Sequence, residues 1–154
     1  MLENPAGLVY GTILIATLLS AEYSRRETYL TTTGAVLVAL ALYWLALAYS
    51  EFTGRRIEEG EHFTFSAFWH AAKHEDSVLL GAVVPVGVLV VGWIFGVELG
   101  TAVEIGVYTA AGLVVVYELL IGYWSDASGR ELIVHTIVGV ALGLLIVTLR
   151  VLLH

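Results

Sequence analysis

Residues 101–124 read TAVEIGVYTAAGLVVVYELLIGYW, a run in which Glu104 and Glu118 are the only charged side chains. At 1.5 Å per residue such a helix is about 36 Å long, enough to cross a hydrocarbon core of about 30 Å. Four further windows have the same character, at about 5–24, 29–50, 77–97 and 131–153. All are rich in Ala, Val, Leu and Ile, with scattered Gly and no alternation of period two, so they read as helices and not as barrel strands. The predicted fold is all-α. It is a polytopic integral membrane bundle of five transmembrane helices forming one domain over residues 1–154.

The composition agrees. Of 154 residues, 58% are hydrophobic and 14% are charged, and the mean hydropathy is +0.86. A soluble domain carries about 25% charged residues. A water-soluble enzyme, a nucleic-acid binder and a disordered tail are therefore not expected. The absence of cysteine excludes disulfides, thiolate metal sites and a cysteine nucleophile.

Glu3, and no Lys or Arg, precedes the first window, and no cleavage-type small-residue pattern follows a short apolar region, so a removed signal peptide is not expected. Asn4-Pro5 reads as a helix N-cap with proline at the first helical position. Between the third and fourth windows Glu98, Leu99 and Gly100 form a tight turn, with Gly100 the expected left-handed residue. Arg55, Arg56, Lys73 and Arg130 fall on the face of the N-terminus, and Arg25, Arg26 and Arg150 on the other. The positive-inside rule then places the N-terminus and the 51–76 segment on the cytoplasmic side.

The segment 51–76 is expected to be a loop. It carries Glu51, Glu58, Glu59, Glu61, Glu75 and Asp76, together with His62, His70 and His74. From Phe65 it reads as a short amphipathic interfacial helix, with Phe65, Phe68, Trp69 and Ala72 on one face and His70, Lys73 and His74 on the other. His70 and His74 are spaced i, i+4, on one side of a helix. With Glu58, Glu61 or His62 folded back, they make a mixed oxygen and nitrogen set suited to a divalent ion such as iron, manganese or zinc. A solvated polar face above an aromatic anchor explains the same residues without a metal.

Ionisable groups within spans are costly and point to function. Glu104 and Glu118 lie fourteen residues apart, close to four helical turns and about 21 Å, so they are expected to share a face. Histidine is the side chain that changes charge near neutral pH, and His135 stands where it can relay a proton to Glu118 or Glu104. The plain alternative is that all three sit near helix ends and reach water. Gly7 and Gly11, Gly92 and Gly96, Gly96 and Gly100, and Gly139 and Gly143 are each four apart, a spacing that lets helix backbones approach or dimerise. Pro85 is expected to kink the third span, and Arg150 to extend to the nearby surface. No HExxH, GxSxG, Walker loop or Asp-rich pair is present, so an enzyme is not expected.

The layout resembles the vacuolar iron transporter family. The likeness rests on Leu120-Ile121-Gly122 through Ser128-Gly129-Arg130-Glu131, the glycine-containing span from His135 to Leu153, and Ala48-Tyr49-Ser50-Glu51-Phe52. Pro85 and Gly7-Leu8-Val9 add to it. The resemblance implies a homodimer that exchanges protons for ferrous or related ions, with Glu51, Glu58, Glu59 and Glu61 collecting metal on the cytoplasmic side. This chain departs from the family at its first-span aspartate, here Ala6, and in having no methionine beyond Met1.

The expected function is movement of a small cation, a divalent metal or a proton-coupled ion, across the lipid bilayer. Glu104, Glu118 and His135 form the path, and Glu51, Glu58, Glu59, Glu61, His62, His70 and His74 form the metal-collecting set. The competing expectation is a non-transporting membrane module that binds a lipid or partner helices through its glycine faces.

Overall fold

A computed structural model describes residues 4–21, 28–59, 64–125 and 129–153, without the side chains of Glu58 and Glu59. The described residues form six helices and no strand. These are α1 (Pro5–Ala21), α2 (Tyr29–Glu59), α3 (Phe65–His74), α4 (Asp76–Ile94), α5 (Leu99–Trp124) and α6 (Gly129–Leu153). Four of them, α2 from Tyr29 to Ile57 and α4, α5 and α6 in full, are long and apolar enough to cross a membrane. The first helix is apolar but shorter, at 17 residues, or about 26 Å.

The start of α1 is as its sequence predicts. Asn4 Oδ1 accepts a hydrogen bond from the Gly7 amide at 2.9 Å, capping a helix whose first residue is Pro5. Despite its length, α1 is the centre of the bundle. Ile15, Ala16 and Leu19 are fully buried, as are Thr12 and Ser20. It packs on α4, α5 and α6 and more lightly on α2.

The α1–α4 contact is a backbone approach. A Cβ on Gly11 would overlap the carbonyl of Val78, and one on Gly81 would overlap the carbonyl of Leu8. A Cβ on Gly7 would come within 2.8 Å of the Ser77 Cβ. Residue 7 meets 77 and residue 12 meets 81, so the two helices run parallel. Pro85 has no N–H and leaves the Gly81 carbonyl without its usual helical donor. Thr12 fills the gap. Its hydroxyl lies 2.9 Å from the Gly81 carbonyl and 2.8 Å from that of Leu8.

Antiparallel to this pair, α5 brings Gly106 beneath Leu89 and Leu19. The α4–α5 turn closes as a Schellman motif: Val97 N–H donates to Gly92 O at 2.9 Å and Gly96 N–H to Trp93 O at 3.1 Å. The left-handed residue is Gly96, with φ 68°, and Gly100 lies inside α5. The expected turn is thus displaced by four residues, because α4 ends at Ile94 and Gly96 is the first glycine its C-terminus meets. Tyr29 stacks on Trp93 and donates to Val97 O at 2.7 Å, tying the start of α2 to this turn.

The second helix does not end at Ser50. It continues to Glu59, so Glu51, Glu58 and Glu59 belong to a helix and not to a loop. Arg55 binds Glu51 at 2.7 Å one turn away, and the Arg56 guanidinium lies over the Phe52 ring. Against this extension α3 packs back, with Phe52 edge-on to Phe68 and Trp44 Nε1 donating to Ala72 O at 3.1 Å. The predicted aromatic face of α3 splits. Ala71 and Ala72 are buried and Phe68 half-buried, whereas Phe65 and Trp69 stack on each other in the open. Arg150, expected to extend outward, is turned inward and 5% exposed.

Replacing Thr12 with Val is expected to cost about 1 kcal/mol of stability, the worth of one hydrogen bond between membrane helices. In a Pro85→Ala background, where residue 85 regains its N–H, that cost falls to about half or less. Unfolding in mixed detergent and SDS micelles measures both. Equal costs in the two backgrounds would show that Thr12 does not serve the proline-orphaned carbonyl.

Candidate functional site

Glu118 and His135 come together where α5 meets α6, the most extensive helix contact among the described residues. The two helices cross on glycine. A Cβ on Gly139 would meet Glu118 Cβ at 3.0 Å, and one on Gly122 would meet the His135 ring carbon at 3.4 Å. Gly143 lies against the Ala111 carbonyl. The arrangement is reciprocal. Gly122, one turn after Glu118, makes room for the imidazole, and Gly139, one turn after His135, makes room for the carboxylate stem.

Held this way, His135 Nδ1 is 2.9 Å from Glu118 Oε2. With the carboxylate as acceptor, the imidazole donates from Nδ1, and Nε2 remains for a second proton. The Glu118 side chain is 14% exposed and that of His135 34%. The imidazole therefore opens outward and the carboxylate sits behind it. Glu118 lies six residues from the end of α5 and His135 six from the start of α6, each about 9 Å inside. Tyr123 and Trp124 stand exposed at that end of α5. The site is a hydrogen-bonded carboxylate and imidazole, the imidazole the more exposed of the two.

Glu104 does not join it. Fourteen residues at 100° each fall about 40° short of four turns, and the structure leaves Glu104 exposed while Glu118 turns toward α6. Tyr108, on the same stripe as Glu104, is half exposed. Two separate positions replace the expected continuous face.

The metal-collecting set is dispersed among the described residues. Glu51 is engaged by Arg55, His70 is exposed on α3, and His74 Nδ1 contacts Glu75 Oε1 at 3.5 Å. Glu58 and Glu59 lie on the last turn of α2, and Glu61 and His62 are outside the described residues. Among the described residues, no three His, Asp or Glu side chains converge as a metal site would require.

No family model, curated protein or solved structure matches this chain. The site must be read from its own residues.

Two features escape a reading by residue type. One is the glycine partner of each ionisable group, visible as Glu118-x-x-x-Gly122 and His135-x-x-x-Gly139 once the helices are paired. The other is the linked hydroxyl pair of Tyr10 and Tyr43, thirty-three residues apart. Neither tyrosine carries a signal in isolation.

Removing the carboxylate by Glu118→Ala is expected to free His135 and speed its modification by diethylpyrocarbonate several-fold, while exposed His70 reacts at an unchanged rate. Mass spectrometry of the modified peptides reads both rates. An unchanged His135 rate would mean that the carboxylate does not hold the imidazole.

Proposed function

We propose that this chain is an integral membrane protein of five spans that moves a small cation in exchange for protons, with Glu118 and His135 as the group that takes up and releases the proton. The observation that carries this reading is the hydrogen-bonded carboxylate and imidazole held where two long apolar helices meet. An ionisable residue inside a membrane helix is costly and rare. Two such residues, matched to each other by two glycines, support a use for the charge. The central position of α1 supports counting it as the fifth span, since its side chains are as buried as those of its longer neighbours.

The cargo proposed is a divalent metal ion such as iron, manganese or zinc, in line with the resemblance to vacuolar iron transporters. The acidic end of α2 and the exposed histidines of α3 support attraction of cations to that face, which is proposed to be cytoplasmic. The exposed Phe65–Trp69 stack supports an interfacial seat for α3. A homodimer is also proposed. Its interface would use faces other than Gly7, Gly11, Gly139 and Gly143, which pack inside the protomer.

One observation favours the alternative of a non-transporting lipid-binding module. An apolar groove of about 630 Å³ runs between α4 and α5, lined by Val84, Gly87, Val91, Phe95 and Ile105. Its lining suits an acyl chain.

Purified protein in liposomes loaded with a pH-sensitive dye separates the two. An imposed gradient of manganese or ferrous ion is expected to drive proton movement in wild type. Glu118→Gln and His135→Gln are expected to reduce it to the level of empty liposomes, with folding checked by circular dichroism. Wild-type vesicles that move neither metal nor protons above empty liposomes would reject transport and leave the lipid-binding reading.

A further inference from the structure

An open, largely apolar recess with one carboxylate lies on the other side of α1. Asn4, Ala6, Gly7 and Tyr10 from α1 and its cap, Leu47 from α2, and Glu75 and Val78 at the head of α4 line this shallow recess of about 370 Å³. That volume is within the range of small-ligand sites. Because Gly106 meets both Leu89 and Leu19, residue 118 is level with residues 77 and 7, twelve positions along each helix and about 18 Å away. The recess is therefore at the same depth as the Glu118–His135 pair, separated from it by α1.

Its chemistry differs from that of the pair. The Glu75 side chain is only 15% exposed. Among the described residues its one ionic partner is His74 Nδ1, at the long distance of 3.5 Å. A carboxylate has about four acceptor positions, so most of its capacity faces no protein donor there. Tyr10 also lines the recess, and its hydroxyl is linked to that of Tyr43, whose ring centroid is 5.7 Å away. This link restrains the Tyr10 ring that lines the recess. The remaining lining is an amide, small residues and aliphatic side chains.

We propose that this recess binds an organic ammonium group, with Glu75 as counter-ion and Tyr10 as aromatic wall. One carboxylate with an aromatic ring matches a soft, diffuse cation, because ring faces attract ammonium groups without coordinating them. A divalent metal needs several hard donors, and no three His, Asp or Glu side chains converge among the described residues. The recess opens where α1 and α4 begin, beside the α3–α4 junction. At that level an ethanolamine or choline headgroup and a free amine present the same chemistry. The site does not depend on transport.

The test uses the full chain in a maltoside detergent, which brings no cation of its own. Tetramethylammonium and ethanolammonium are titrated and binding is read by saturation-transfer NMR. Wild type is expected to bind, Glu75→Gln to bind about tenfold more weakly or worse, and Tyr10→Leu to lose affinity. Tyr10→Phe keeps the ring and is expected to keep most of the binding, which separates loss of the wall from loss of the fold. A parallel arm compares retention of phosphatidylethanolamine and phosphatidylglycerol by native mass spectrometry. Glu75-dependent retention of the ethanolamine lipid identifies a headgroup site, and binding of the soluble cations alone identifies a free-amine site; both support the proposal. Failure of wild type to bind either kind of probe, or binding unchanged in Glu75→Gln, overturns it.

Discussion

The bundle depends on how closely α1 approaches α4. In lipid, apolar side chains gain little by leaving hydrocarbon for one another, so helix association rests on close packing and on polar contacts between backbones. Gly11 and Gly81 remove the side chains that would hold the two helices apart. The approach then solves a problem that Pro85 creates. A carbonyl deprived of its helical donor would be left unpaired in an apolar interior, and Thr12 reaches it because the helices are in backbone contact. The proline and the close approach are thus one feature.

From that contact the rest of the architecture follows. Parallel α1 and α4 present a groove, into which α5 lowers Gly106 against Leu19 and Leu89. The position of α5 then sets the register of α6, because Gly122, Gly139 and Gly143 allow a single close alignment of the two. That alignment puts His135 Nδ1 at hydrogen-bond distance from Glu118. A shift of one residue along α6 would turn the imidazole about 100° away from the carboxylate. The pair is thus a consequence of glycine placement as much as of its own chemistry.

Much of this was legible in the sequence, and the remainder was hidden for identifiable reasons. Long apolar windows without alternation predict helices, and the described residues contain six helices and no strand. The boundary at Ser50 was misplaced because hydropathy falls there while helix propensity does not: the i, i+4 pair Glu51–Arg55 continues the helix into a polar setting. Gly100 was a reasonable turn residue, yet Gly96 stands closer to the end of α4 and forms the Schellman closure. The coincidence of Glu104 and Glu118 on one stripe was an approximation of about 40°, large enough for the two to face different surroundings. The type of pairing between His135 and Glu118 was foreseeable, but the register that realises it required the tertiary contacts. So did the recess at Glu75, whose walls come from three helices distant in the chain.

The proposed five-span arrangement turns on α1, the shortest of the apolar helices and the most enclosed. The chain has no cysteine, so single cysteines introduced at Asn4, Thr28, Lys73, Glu98 and Ser125 report sidedness without background. Labelling with a membrane-impermeant maleimide in oriented vesicles is the most direct measurement. If α1 crosses the bilayer, positions 4, 73 and 125 react from one side and positions 28 and 98 from the other. Reaction of positions 4 and 28 from the same side would contradict it, and would remove the central span on which the packing described above depends.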